Sequence, residues 1–335
     1  MSTSPPPWLR RLREPAGTPL MRMAAIGAIV SNAGIVVTGG AVRLSNSGLG
    51  CPTWPDCTDG RLLPGGANTH GPLNQGIEFG NRLLGVLVLL TAIACVLVAW
   101  RLTPRRRDVL AIAWLLPIGI IAQAILGGIT VREKLNPLVV APHFLLSMVL
   151  VYVAVWLHER AGEGDGELQR LVRREIQLGV RLLVVVVAAI EVAGTLVTAT
   201  GPHAGNRGTR RLGWDPRVVT QFHADLVFLY VGLLVALMLG LRATGAPART
   251  RQRARVVAVV VALQATVGYV QYFTHVPAVL VGVHMFGATL ATITTARLFF
   301  ATRERLSTAP QPETADWTHA WADAGARGRR RPPGP

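Results

Sequence analysis

Four positions in this 335-residue chain carry its chemistry: His143, His223, His284 and Asn81. Each lies a few residues inside the start of a long apolar stretch. A histidine in an apolar helix is expensive to bury and marks a functional position. Neutral imidazole is a good ligand for haem iron, and two axial imidazoles close a six-coordinate site. Three histidines at matching depth therefore point to haem irons held inside a helix bundle. Asparagine is a poor iron ligand, so the fourth position breaks the pattern. The plainer alternative is a set of hydrogen-bonded bundle histidines.

The elements that position these residues are membrane spans. The chain is 50% hydrophobic, and its mean hydropathy of +0.40 is too high for an ordinary soluble domain. Eight apolar stretches, near 21–41, 79–100, 109–131, 138–158, 178–199, 218–241, 255–274 and 277–300, each approach the roughly 20 residues that a spanning helix needs. An all-α integral membrane protein of eight helices follows, with no soluble catalytic domain left over.

The net charge of +16 could suggest nucleic acid, but its distribution argues for topology instead. With the N-terminus placed in the cytoplasm, the inner segments carry 22 Lys and Arg and the outer segments 8. This positive-inside bias puts both termini in the cytoplasm and excludes a nucleic-acid role. The N-terminal segment does not read as a cleavable signal peptide.

The chain also repeats itself. Gln123-Ala-Ile-Leu-Gly127 followed by His143 matches Gln264-Ala-Thr-Val-Gly268 followed by His284, at an offset of 141. Ala33-Gly34-Ile-Val-Val-Thr38 matches Ala193-Gly194-Thr-Leu-Val-Thr198, at an offset of 160. Helices one to four thus correspond to helices five to eight as a parallel repeat. Asn81 falls opposite His223. The expected division is a cytoplasmic segment 1–20, a first four-helix half 21–160, a linker 161–177, a second half 178–302 and a disordered cytoplasmic tail 303–335. Four-helix bundles build cofactor sites from facing helices, and the ligand layer lies toward the extracytoplasmic face. The repeat predicts His223 and His284 independently, which favours a ligand pair over incidental core histidines.

His143 has Asn81 rather than histidine as its partner. A haem there is five-coordinate or takes water, oxygen or a loop residue such as His70. Glu78 shares a helix face with Asn81 and is either an acid beside this pocket or a charge neutralised by Arg82. Glu191 reads as a proton relay or as paired with a polar neighbour. Cys51 and Cys57 lie in an exported, oxidising loop and suit a disulfide, as a structural staple or a redox-active pair. Their spacing is not that of covalent haem attachment. Arg43, Arg82, Arg132, Arg207, Arg210, Arg211 and Arg217 run against the topology rule on the exported side, where haem propionates need guanidinium partners.

Several segments resemble the haem A synthase family, the membrane enzymes that make haem A for terminal oxidases. They are Gly39-Gly-Ala-Val-Arg43 through Cys51-Pro-Thr-Trp-Pro-Asp-Cys57, Ile77-Glu-Phe-Gly-Asn-Arg82, Gly194 to Gly205, and His223-Ala-Asp225. The resemblance covers roughly residues 20–302. It implies two pseudo-symmetric four-helix bundles in the plasma membrane. It implies a resident haem b on His223 and His284, and the substrate haem O on His143. The implied reaction oxidises a methyl group of haem O, through a hydroxylated intermediate, to the formyl group of haem A. Glu78 matches the family's essential acid, and Cys51 and Cys57 its loop cysteines; among the exported arginines, Arg43 and Arg82 are the ones expected to bind the cofactor. Asn81 departs from the family, much of which has histidine there. Expected company is a haem O synthase and cytochrome oxidase assembly proteins, with room for homo-oligomers. The rival readings are a dihaem b electron-transfer cytochrome, which wants four strong ligands, and a haem transporter, which wants weak ligation in both halves.

Overall fold

The structure is a computed structural model, and it describes residues 17–58, 60–65 and 71–305. His70, the N-terminal segment before Gly17 and the tail beyond Arg305 lie outside the described residues. Eight helices account for nearly everything else: α1 (Thr18–Leu44), α2 (Gly71–Trp100), α3 (Arg107–Arg132), α4 (Pro137–Ala161), α5 (Arg174–Thr200), α6 (Pro216–Ala243), α7 (Ala248–Phe273) and α8 (Ala278–Phe300). Each is 23 to 30 residues long and apolar enough to cross a membrane. Their outward faces carry exposed Leu83, Leu87, Leu90, Ile118, Ile121, Leu239 and Leu263. Such faces are stable against lipid and costly against water.

The packing shows the duplication. In the first half α1, α2, α3 and α4 close a ring of neighbours, and in the second half α5, α6, α7 and α8 do the same. The halves meet through α4 against α8, α1 against α8, and α4 against α5. Under the repeat α4 maps on α8 and α1 on α5. The last two contacts are therefore one contact seen twice, about a pseudo-two-fold axis between α4 and α8. Backbone detail repeats too: Lys134–Leu135 and His275–Val276 both adopt positive φ, and Leu135 N–H and Val276 N–H donate to Thr130 and Gln271. These matched left-handed pairs turn α3 into α4 and α7 into α8.

The apolar cores are off-centre. In the first bundle the core joins Met21, Ala25 and Ala28 of α1 to Val88–Ala99 of α2, Val109–Ile120 of α3 and Leu150–Ala161 of α4. In the second it joins Ile176–Val187, Tyr230–Leu241, Ala254–Val261 and Leu298. Both occupy the end of the bundle away from the histidines. Close packing of interiors is the rule, so the histidine end is the part each bundle leaves for something other than its own side chains.

Two features lay beyond the apolar pattern. Helix α2 starts at Gly71, two turns before the apolar stretch at 79. Its added turns are polar and pack under the first loop: Ser47 donates to Asn74 Oδ1 at 3.2 Å, and a Cβ on Gly50 would collide with the Asn74 carbonyl. Leu168–Arg170 and Arg303–Arg305 form a two-stranded antiparallel ribbon, β1 and β2. The tail expected from 303 therefore begins with a strand pinned to the linker.

Candidate functional site

His223 on α6 and His284 on α8 face each other with ring centroids 6.4 Å apart and planes at 60°. His223 Nδ1 lies 3.1 Å from the Ile190 carbonyl. A carbonyl only accepts, so Nδ1 carries the proton and Nε2 keeps a lone pair for a metal. His284 Nδ1 and His143 Nδ1 are buried without a partner among the described residues. Two metal–imidazole bonds of about 2 Å each, plus the ring radii, put the centroids of a bis-imidazole iron roughly 6 Å apart. The observed spacing fits that group.

A glycine on the neighbouring helix seats each ring. A Cβ on Gly194 would lie 3.4 Å from His223 Cε1, on Gly268 3.2 Å from His284 Cε1, and on Gly127 3.3 Å from His143 Cε1. The repeated Gln-to-His interval also has a physical cause. Gln123 Nε2 donates to the His143 carbonyl at 2.9 Å, and Gln264 Nε2 to the His284 carbonyl at 2.8 Å. Each amide ties the ligand-bearing helix to its neighbour. Gln123 also bonds Ser147.

The fourth position differs. Asn81 Oδ1 accepts from Thr38 Oγ1 at 2.7 Å. Its glycine would be Gly34, the counterpart of Gly194, and a Cβ there meets nothing within 4 Å among the described residues.

Glu78 and Arg82 lie on the same face of α2 as an ion pair of 2.6 Å. The second Glu78 oxygen, Oε2, accepts the Cys51 N–H at 2.8 Å. Arg82 donates to the carbonyls of Cys51 at 2.9 Å, Thr53 at 3.1 Å and Asp56 at 3.0 Å. Cys51 and Cys57 form a disulfide and both are fully buried. The Trp54 ring lies on Gly128 of α3, with no room for a side chain there. The carboxylate, the guanidinium and the disulfide together fold the first loop over the end of the first bundle. The second half has no equivalent cover among its described residues.

Arg43, at the end of α1, spends its fork on the second half: Nε donates to His203 O at 2.5 Å and Nη2 to Thr198 O at 2.9 Å. It has no carboxylate partner among the described residues, and neither has Arg211. Burial holds the Arg211 guanidinium below the usual arginine range. Arg132 reaches the Trp54 carbonyl at 3.4 Å. In the second bundle Thr292 donates to Glu191, and Tyr230 shares a 2.6 Å hydroxyl contact with Thr295. Thr38, Gly34 and the seating glycines stand in the repeated segments of the sequence, but spacing alone does not show that they touch the histidine rings or Asn81.

The model of the COX15-CtaA family, described as cytochrome oxidase assembly protein, matches residues 22–296. The chain belongs to this family. As a COX15-CtaA protein it is similar to curated relatives named heme A synthase. That of Geobacillus kaustophilus (strain HTA426) is 29% identical over 138 residues, 41% of this chain and 41% of the relative. That of Exiguobacterium sibiricum is 27% identical over 208 residues, 58% of this chain and 67% of the relative. That of Bacillus cereus (strain AH187) is 32% identical over 118 residues, 34% of this chain and 36% of the relative. The first of these matches spans about two fifths of the relative's length.

Proposed function

We propose that this COX15-CtaA protein is a haem A synthase, oxidising the methyl group of haem O to the formyl group of haem A through a hydroxylated intermediate. The observation that carries the reading is the facing pair His223 and His284, at the spacing of two axial ligands. Among the described residues no three His, Cys, Asp or Glu side chains converge on one point. A macrocycle would supply the remaining ligands of an iron held between these two imidazoles.

In this reading His223 and His284 hold haem b, and His143 holds the substrate haem O. Bound haem b supplies one-electron transfer. Gly194 and Gly268 let the α6 and α8 rings sit flush, and Gln264 fixes the height of His284. Gln123 does the same for His143. Arg43, Arg211 and Arg132 supply positive charge at the outer rim, where propionates reside. Arg82 contributes through the loop it organises, since Glu78 and the loop carbonyls already engage its donors. Glu78 keeps a carboxyl group beside Asn81, paired with Arg82, that would favour developing positive charge in the first pocket. The disulfide loop shields that pocket from bulk water. The sites lie toward the extracytoplasmic face of the plasma membrane, both termini lie inside, and haem O synthase and oxidase assembly proteins are its natural neighbours.

The test is to purify the protein and identify its extracted haems without acid damage. Haem b together with haem O or haem A is the expected result. Haem b alone, at two per chain, would overturn the reading in favour of a dihaem cytochrome.

A further inference from the structure

The repeat builds four equivalent positions for an imidazole on a glycine, and only three are filled. A Cβ on Gly127, Gly194 or Gly268 would lie 3.2 to 3.4 Å from a histidine ring, whereas a Cβ on Gly34 would meet no atom of the described residues within 4 Å. The residue opposite is Asn81, shorter than histidine. Its carbonyl oxygen is held by Thr38, so the amide is turned toward α1. Its Nδ2 has no protein partner among the described residues. Thr38 has a counterpart, Thr198, which bonds only the Gly194 carbonyl of its own helix. The Thr38–Asn81 bond is thus peculiar to the first half and holds Asn81 in one orientation.

We propose that the first-half site is a binding site for a small neutral ligand from solution, on the face between Asn81, Thr38 and the unfilled seat at Gly34. The ligand class is a diatomic or a free imidazole, small enough for the space a histidine ring would take. The Asn81 amide is a positioning group on its rim. This rests on the proposed residence of a haem on His143, and deepens it: one half is closed by two imidazoles and the other is open on one side.

The experiment titrates the purified, dithionite-reduced protein with carbon monoxide and reads the haem absorption. Half of the haem is expected to bind, with the low-spin spectrum of the second half unchanged. Asn81→His should place a ring on Gly34, add a second low-spin signal and lose most of the carbon monoxide binding. Gly34→Ile with Asn81 kept puts a side chain into that same space and should also lower carbon monoxide binding. Retained second-half low-spin absorption reports that each variant is folded. No carbon monoxide binding by wild-type protein whose haem content falls in His143→Ala would overturn the open face. So would an Asn81→His protein that binds as wild type does. A His143→Ala protein with undiminished haem would instead overturn the residence on His143, and binding by all of the haem would overturn the closed pair.

Discussion

Arg43 Nε donates to the backbone carbonyl of His203 at 2.5 Å, and His203 is the residue that corresponds to Arg43 in the second half. The next donor, Nη2, meets Thr198, the counterpart of Thr38. One half thus reaches over to satisfy a last-turn carbonyl of the other half's α5, a group that a helix cannot satisfy itself, and one in the loop that follows. Arg43→Ala should cost about 3 kcal/mol, two charge-assisted bonds with an acceptor left unpaired. Thermal unfolding in detergent measures this. Arg43→Lys should recover only part, because an ammonium cannot present the fork that spans both carbonyls.

The ligand assignment predicts different spectra for different histidines. His223→Ala or His284→Ala should each remove the low-spin haem b absorption. His143→Ala should leave it intact and remove the other haem. Low-spin absorption retained in both second-half variants would refute the assignment.

Glu78→Gln keeps an acceptor for Cys51 N–H but leaves Arg82 without its counter-charge. The resident haem should remain while haem A product is lost, as read from extracted haems. Undiminished haem A would remove Glu78 from the mechanism and leave it as an anchor of the loop.

At the opposite membrane face Glu159 of α4 is the hub between the halves. Its side chain is 6% exposed and meets Arg249 at 3.0 Å, Arg297 at 3.0 Å and Arg253 at 3.9 Å. His158 Nδ1 lies 3.7 Å from the same carboxylate, and losing the carboxylate would leave the arginine charges without a partner. Removing one partner of a buried ion pair costs about 3 kcal/mol, and the value here should be smaller because the Arg249 side chain is 57% exposed. Glu159→Gln should lower the unfolding temperature in detergent without changing the low-spin spectrum.

The glycine seats make a paired prediction. Gly268→Ala places a methyl 3.2 Å from His284 Cε1, so the ring must yield by tenths of an ångström and the low-spin signal should shift. Gly34→Ala meets no atom and should leave that signal unchanged. Electron paramagnetic resonance of the oxidised protein compares the two.

Much of the architecture was legible because hydrophobicity and repetition both reported it. The eight spans and the Gln-to-His interval emerge from the chain itself, and the structure supplies the hydrogen bond behind that interval. The outer turns of α2 were not legible, since 71–78 is polar and helical only through its contacts with the loop. Of the left-handed pairs at Lys134–Leu135 and His275–Val276, only His275 is a residue type enriched at positive φ. The pairs show only as a repeated fold. Arg249 and Arg253 count in the sequence only as topology signals, because a count of charges says nothing about which of them meet Glu159. The Glu78–Arg82 pair was foreseen as one alternative, but its grip on Cys51 depends on a loop that sequence spacing cannot place.

The small ribbon between Leu168–Arg170 and Arg303–Arg305 joins the strand just before the second half to the strand just after it. With Leu171 N–H also donating to Thr302 at 3.0 Å, four helices become a ring fastened by main-chain bonds. A pull acting on the chain past Arg305 is therefore shared between α8 and the linker that joins the two halves.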